Sequence, residues 1–142
     1  KKVAAPANKF LLAAATPEFY PKIIKSISGI EIHSRTDTQT DFTWTLGFSI
    51  FSLSSRNRLR FTGDGVIIEG LEGDLGGALW RWQIAEQGES SCTVAYHGWV
   101  DLLRTGNVLG KSVKVEPYME HGLMVGSNMV MMRAMERVAE AK

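Results

Sequence analysis

The segment Glu116–Ala139, EPYMEHGLMVGSNMVMMRAMERVA, sets its apolar residues at spacings of three, four and seven. These spacings repeat the period of an α-helix, so the segment predicts one long helix with an apolar stripe. Much of the stripe is methionine, at Met124, Met131 and Met135, with Val125, Met132 and Val138 beside them. Methionine is flexible and polarizable, so such a stripe suits either an irregular core or a surface that receives variable apolar ligands.

Upstream of this helix, the segment Ile30–Leu103 is dominated by strand patterns. Apolar and polar residues alternate along Phe42–Ile50 and along Leu79–Ala85, which predicts strands with one buried face each. Short turns at Gly63–Gly65 and Gln87–Ser90 separate neighbouring strands. Strands joined by such short turns predict an antiparallel sheet.

The amino-terminal segment predicts a short strand over Lys2–Ala5, followed by two short helices. Pro6 precedes an Ala- and Leu-rich stretch, Ala7–Ala15, and Thr16-Pro17-Glu18 repeats the signals of a helix start. Ser28-Gly29 is expected to end this helical pair. Helices that cluster before and after a run of strands indicate the α+β class, and we interpret residues 1–142 as one domain.

Two stretches give this order a specific resemblance: VAAPANKFLLAAATPEFYPKII at Val3–Ile24 and GLEGDLGGALWRWQI at Gly70–Ile84. Together with the terminal helix from Pro117 onward, they resemble the START-like or SRPBCC (helix-grip) superfamily, which includes polyketide cyclases and coenzyme-Q-binding proteins. The resemblance implies a curved antiparallel sheet of about six or seven strands wrapped around the C-terminal helix. It also implies an apolar cavity between sheet and helix.

The candidate ligand-binding residues are the inward positions of the strands and the stripe of the terminal helix. Phe42 is expected in the same interior. Polar groups on these positions need a partner or a ligand, because an unpaired buried polar group costs about 1–3 kcal/mol. A filled core is the alternative interpretation of the same residues. The candidates are Trp44, Phe48, Phe61, Trp80, Trp82, Tyr96, His121, Met124, Asn128, Met131 and Met135.

Composition argues against several other classes of function. Sixteen basic residues against fifteen acidic ones give no basic footprint for nucleic acid. His33, His97 and His121 lack the spacing of paired metal ligands, so neither a metal nor another cofactor is expected. Cys92 is the only cysteine, which fits a reducing compartment, and we expect a cytoplasmic protein without a membrane span. The chain begins with Lys1, from which we expect a trimmed or partial sequence.

Three functions follow from these observations. The leading hypothesis is binding or carriage of an apolar small molecule, such as a lipid, a quinone or a polyketide-like aromatic compound. The alternative is a cyclase or aromatase that uses the same cavity, with Tyr96, His97, His121 and Asn128 as candidates for proton transfer; whether the chain is an enzyme stays open. A third is an interaction module that uses the exposed row Arg56, Arg58 and Arg60 with the loop Arg104–Ser112.

Overall fold

The computed structural model describes residues 1–23, 26–47, 52–99, 133, 135, 137, 139 and 140. The chain begins with strand β1, helix α1, a 3-10 turn and helix α2, and continues with six strands. The first four elements span Lys2–Val3, Ala7–Ala15, Pro17–Phe19 and Tyr20–Ile23. The strands β2 to β7 span Ile27–Arg35, Gln39–Gly47, Ser52–Thr62, Gly65–Gly73, Leu79–Glu86 and Cys92–Trp99.

The seven strands form one antiparallel sheet in the order β1-β7-β6-β5-β4-β3-β2. Helix α1 packs on one face, where the Phe10 ring lies 5.5 Å from the Trp82 ring. We call this face the inner face and the opposite one the outer face. The antiparallel sheet and the two short helices confirm these two parts of the predicted α+β fold.

Strand β2 begins earlier than the sequence pattern predicted. Ser28 and Gly29 lie inside this strand, so the prediction that they end the helical pair is wrong. Ile27 is buried and pairs with Leu46, and the N–H of Gly47 donates to the Ser26 carbonyl at 2.6 Å. A register shift between Ile27 and Gly29 lets the strand continue past the glycine.

Strand β5 has two faces that the sequence pattern could not separate. Val66, Ile68 and Gly70 are buried, whereas Leu71 occupies a register shift between Gly70 and Glu72. A Cβ at Gly70 would lie 2.2 Å from the carbonyl oxygen of Leu75, so only glycine lets the β5–β6 loop fold this closely over the strand.

The last turns of the predicted terminal helix are helical at the five positions that the structure describes. Met135 and Ala139 are fully buried, whereas Arg133 and Arg137 are exposed. Of the predicted stripe, Met135 is thus buried, and the long helix itself stays a prediction. The remainder of the predicted helix and the loop Arg104–Ser112 lie outside the described residues. No helix in the part of the chain that the structure describes is long and apolar enough to cross a membrane.

The outer face carries the predicted row of arginines, and each of them forms an ion pair with an acidic residue. Arg58 donates to both carboxylate oxygens of Asp41 at 3.0 Å, and this pairing lowers the pKa of Asp41. Arg60 pairs with Glu69 at 2.6 Å, and Arg56 contacts a glutamate of β5 at 3.4 Å. The row is therefore a cross-strand ladder of opposite charges.

Candidate functional site

The inner face of the sheet is lined by aromatic rings from strands β3, β6 and β7. Because side chains alternate along a strand, Phe42 and Trp44 share this face with Trp80, Trp82 and Tyr96. Neighbouring rings contact each other edge-on or tilted: Phe42 and Trp44 at 5.5 Å, Trp44 and Trp80 at 4.8 Å, and Trp82 and Tyr96 at 4.2 Å. These contacts form two groups on the same face, one of Phe42, Trp44 and Trp80 and one of Trp82 and Tyr96, and we call the two groups together the aromatic wall.

Tyr20 of helix α2 joins this wall to helix α1. Its ring lies 6.0 Å from that of Trp44, and its hydroxyl donates to the Ala14 carbonyl at 2.9 Å. The same hydroxyl accepts a hydrogen bond from the indole Nε1 of Trp82 at 3.2 Å. The buried hydroxyl therefore has both an acceptor and a donor, and burial raises the pKa of Tyr20. Tyr20 therefore has a structural role.

A second set of polar groups crosses the inner face between β3 and β4. Trp44 Nε1 donates to Ser55 Oγ at 2.9 Å, and Ser55 Oγ donates in turn to Asn57 Oδ1 at 3.0 Å. Asn57 Nδ2 donates to the Ser55 carbonyl at 3.1 Å. All three side chains are buried. The Ser55 carbonyl can only accept, so the Asn57 amide presents Nδ2 to it and Oδ1 to the Ser55 hydroxyl, which therefore donates.

Sequence analysis missed Ser55 and Asn57 as residues of the interior. The signal was present in the alternation of Leu59 and Phe61 with Arg58 and Arg60. Extended backwards along β4, the same phase places Ser55 and Asn57 on the inner face. Their polarity concealed this position, because polar residues of strands usually face solvent.

Tyr96 differs from the other rings of the wall because it keeps accessible surface. It is half-buried, and its hydroxyl has no hydrogen-bond partner among the described residues. Burial, and to a smaller extent the neighbouring Tyr20, raise the pKa of Tyr96 well above its ordinary value. Tyr96 therefore presents part of its surface, and a hydroxyl without a partner among the described residues, on the inner face. Trp80, with 9% of its surface exposed, and the half-buried Gly98 lie beside it on the inner face.

The structure places the predicted ligand-binding residues in three groups. Trp44 and Trp82 are buried within the wall, and Met135 is buried in the same core, whereas Trp80 and Tyr96 retain some surface. The expectation that Phe61 lies in the interior is wrong: it is 43% exposed, because it lies one residue before the end of β4. The other five, Phe48, His121, Met124, Asn128 and Met131, lie outside the described residues.

The described part of the inner face offers little acid–base chemistry. Two of the three histidines, His33 and His97, are exposed on the outer face, as expected for His97. Cys92 is buried with a pKa raised by burial. Asp41 is the buried carboxylate of the described chain, and it lies on the outer face. The described residues contain no group of three side chains that could hold a metal ion.

Two open clefts lie elsewhere on the described surface. One, of about 560 Å³, lies between α1 and the β4–β5 turn and is lined partly by Leu11, Asp64 and Ile84. The other, of about 350 Å³, lies beside Leu79 and Trp99. Neither cleft includes a predicted ligand-binding residue.

Comparisons with protein-family models and with curated proteins gave no match. Among solved structures, the chain is similar to the Zhui aromatase/cyclase from Streptomyces sp. R1128, with 19% identity and a TM-score of 0.77 over 99% of this chain and 90% of the other. A START superfamily protein from Mycobacterium smegmatis has 18% identity and a TM-score of 0.74, over 99% and 93% of the two chains. A STAR-related lipid transfer protein from Xanthomonas axonopodis has 10% identity and a TM-score of 0.70, over 99% and 82%. These similarities show the fold: the chain has the START-like fold that the resemblance in the sequence implied.

Proposed function

We propose that this chain is a single domain that binds an apolar small molecule between the inner face of its sheet and its C-terminal helix. The observation that carries the proposal is an inner face built from aromatic rings whose buried part, among the described residues, bears no charged side chain. Such a surface favours apolar ligands, because burying apolar area contributes about 25 cal/mol per Å². The candidate ligands are a lipid, an isoprenoid quinone or a polyketide-like aromatic compound.

The fold neighbours support the same class of ligand. One of them carries the name of a lipid transfer protein and another that of an aromatase/cyclase. Phe48, His121, Met124, Asn128 and Met131 complete the proposed site, together with Tyr96, Trp80 and Met135 and with Trp44 and Trp82 behind them. We propose a cytoplasmic location on the basis of the single cysteine.

Native mass spectrometry of gently purified protein tests this function. We expect a mass increment that disappears after extraction with organic solvent, and we expect the extracted protein to bind 1-N-phenylnaphthylamine with 1:1 stoichiometry. Energy transfer from the tryptophans of the wall to this fluorescent probe reports the binding. Protein that carries no increment and shows no saturable binding of the probe would contradict the proposal.

A cyclase or aromatase is the second candidate, and the similarity to the Zhui aromatase/cyclase favours it. In that case the cavity would fold a poly-β-keto chain, and polar side chains on its wall would move protons. Burial raises the pKa of Tyr96 and keeps its hydroxyl protonated, so in such an enzyme it would donate a hydrogen bond to the substrate rather than act as a base. A His121→Ala variant that keeps ligand binding and loses turnover would support the enzyme over the carrier.

A further inference from the structure

The two tyrosines near the aromatic wall have different hydrogen-bonding states. The Tyr20 hydroxyl is fully buried, donates to a carbonyl and accepts from an indole. The Tyr96 hydroxyl has neither a donor nor an acceptor among the described residues. The Tyr20 hydroxyl therefore stabilises the fold, whereas the Tyr96 hydroxyl can hydrogen-bond a ligand.

The described neighbours of Tyr96 on the inner face are an aromatic ring and a glycine. Strand pairing sets Tyr96 opposite Trp82 and sets Gly98 opposite Trp80. Gly98 is the next inner-face position along β7, and it contributes no side chain. The Tyr96 ring packs on the Trp82 ring at 4.2 Å, with 39° between the ring planes, so Trp82 fixes one side of the phenol.

The chemistry of the inner face around Tyr96 determines which chemical group a ligand would present to its hydroxyl. A charged ligand group would lack a counter-charge, because the buried part of the inner face carries none among the described residues. A pure hydrocarbon would cover the hydroxyl and leave its O–H without an acceptor, which is unfavourable. A neutral acceptor oxygen satisfies the phenol and keeps the rest of the ligand apolar.

We propose that the ligand of this domain carries a carbonyl oxygen, and that the Tyr96 hydroxyl donates a hydrogen bond to it. The site would then select flat or extended apolar carbonyl compounds over hydrocarbons of the same shape. This inference rests on the proposed function, because it names the class of ligand that the same site takes.

A matched pair of probes tests the inference: 9-fluorenone and fluorene, which share one tricyclic frame and differ by a C=O in place of a CH₂. Equilibrium dialysis of each probe against wild-type, Tyr96→Phe and Tyr20→Phe protein gives the affinity ratio of fluorenone to fluorene for each protein. Comparing these ratios between proteins cancels the different solubilities of the probes in water. Tyr96→Phe removes one oxygen and no hydrogen bond of the described residues, and circular dichroism verifies its fold.

We expect Tyr96→Phe to lower the affinity ratio about tenfold, the equivalent of one hydrogen bond. We expect Tyr20→Phe to leave the ratio unchanged, since its hydroxyl serves the fold. Equal ratios in wild-type and Tyr96→Phe protein, with both probes bound, would overturn the inference and leave the proposed function standing. A ratio that falls in Asn57→Leu but not in Tyr96→Phe would assign the contact to the buried amide and also overturn it. Absence of saturable binding of both probes to wild-type protein would refute the proposed function itself.

Discussion

Replacing Tyr20 with phenylalanine should destabilise the domain more than its small change in volume suggests. The hydroxyl donates to the Ala14 carbonyl at 2.9 Å and accepts from Trp82 Nε1 at 3.2 Å. The variant leaves the indole N–H buried without an acceptor, and it leaves the carbonyl in the last turn of α1 without its donor. One lost hydrogen bond contributes about 1 kcal/mol and an unpaired buried group about 1–3 kcal/mol. We expect the free energy of unfolding to fall by about 2–3 kcal/mol.

Urea denaturation followed by tryptophan fluorescence measures this loss, because the wall contains three tryptophans that are buried in the fold. The same change should lower Tm by about 6–10 °C in a chain of this length. Tyr96→Phe is the matched control, and we expect its unfolding free energy to stay within about 0.5 kcal/mol of wild type. Equal stabilities for the Tyr20→Phe variant and wild type would refute the structural role of this hydroxyl.

The same two tyrosines predict how stability depends on alkaline pH. Their pKa values are raised in the folded state, mainly by burial, so the unfolded chain loses these protons first as the pH rises. The stability that they contribute is complete below about pH 10, the pKa of an unfolded tyrosine, and falls above it. We expect urea midpoints to drop between about pH 10 and 12, and to drop less steeply in Tyr20→Phe. A midpoint that stays constant over this range would contradict the assignment.

Two further predictions concern the sheet. Gly70→Ala should lower the free energy of unfolding by at least about 2 kcal/mol, because the new Cβ would lie 2.2 Å from a backbone carbonyl. Gly63→Ala, whose Cβ would meet nothing within 4 Å, is its control in the same urea assay, and equal losses would be inconsistent with this packing. Asp41→Asn should destabilise the fold at pH 7 and destabilise it less at about pH 3, because the Arg58 contact that lowers the pKa of Asp41 stabilises the fold only while the carboxylate is ionised. Urea midpoints at the two pH values measure this, with Glu72→Gln, the partner in an exposed pair, as the near-neutral control; a loss independent of pH would contradict the ion pair's role.

The sequence was sufficient to predict the sheet and the order of its elements. Alternation along Leu79–Ala85 placed Trp80 and Trp82 on one face, and the structure pairs them with Tyr96 and Gly98 of the neighbouring strand. The prediction succeeded because burying large rings on one face dominates the energetics of a strand. The start signals at Pro6 and Thr16 likewise predicted α1 and the turn that follows it.

The errors arise where tertiary contacts override local propensity. Ser28 and Gly29 were predicted to end the helical pair, yet they lie in strand β2, which pairs with β3. Sequence analysis did not place Ser55 and Asn57 in the interior, where the indole of Trp44 donates to Ser55 and offsets the cost of burying these polar groups. Such a partner lies on another strand, so no local pattern reveals it. Phe61 follows the apolar alternation of β4 and is nevertheless exposed, since periodicity does not show where along a strand the covering elements end.

The most direct measurement is a crystal structure of protein purified from cells without any delipidation step. Our account anticipates electron density for an apolar molecule in van der Waals contact with Trp80 and Met135, with an oxygen atom within hydrogen-bonding distance of the Tyr96 hydroxyl. An inner face whose rings are packed directly against the terminal helix, with no space for a ligand beside Tyr96, would contradict this account.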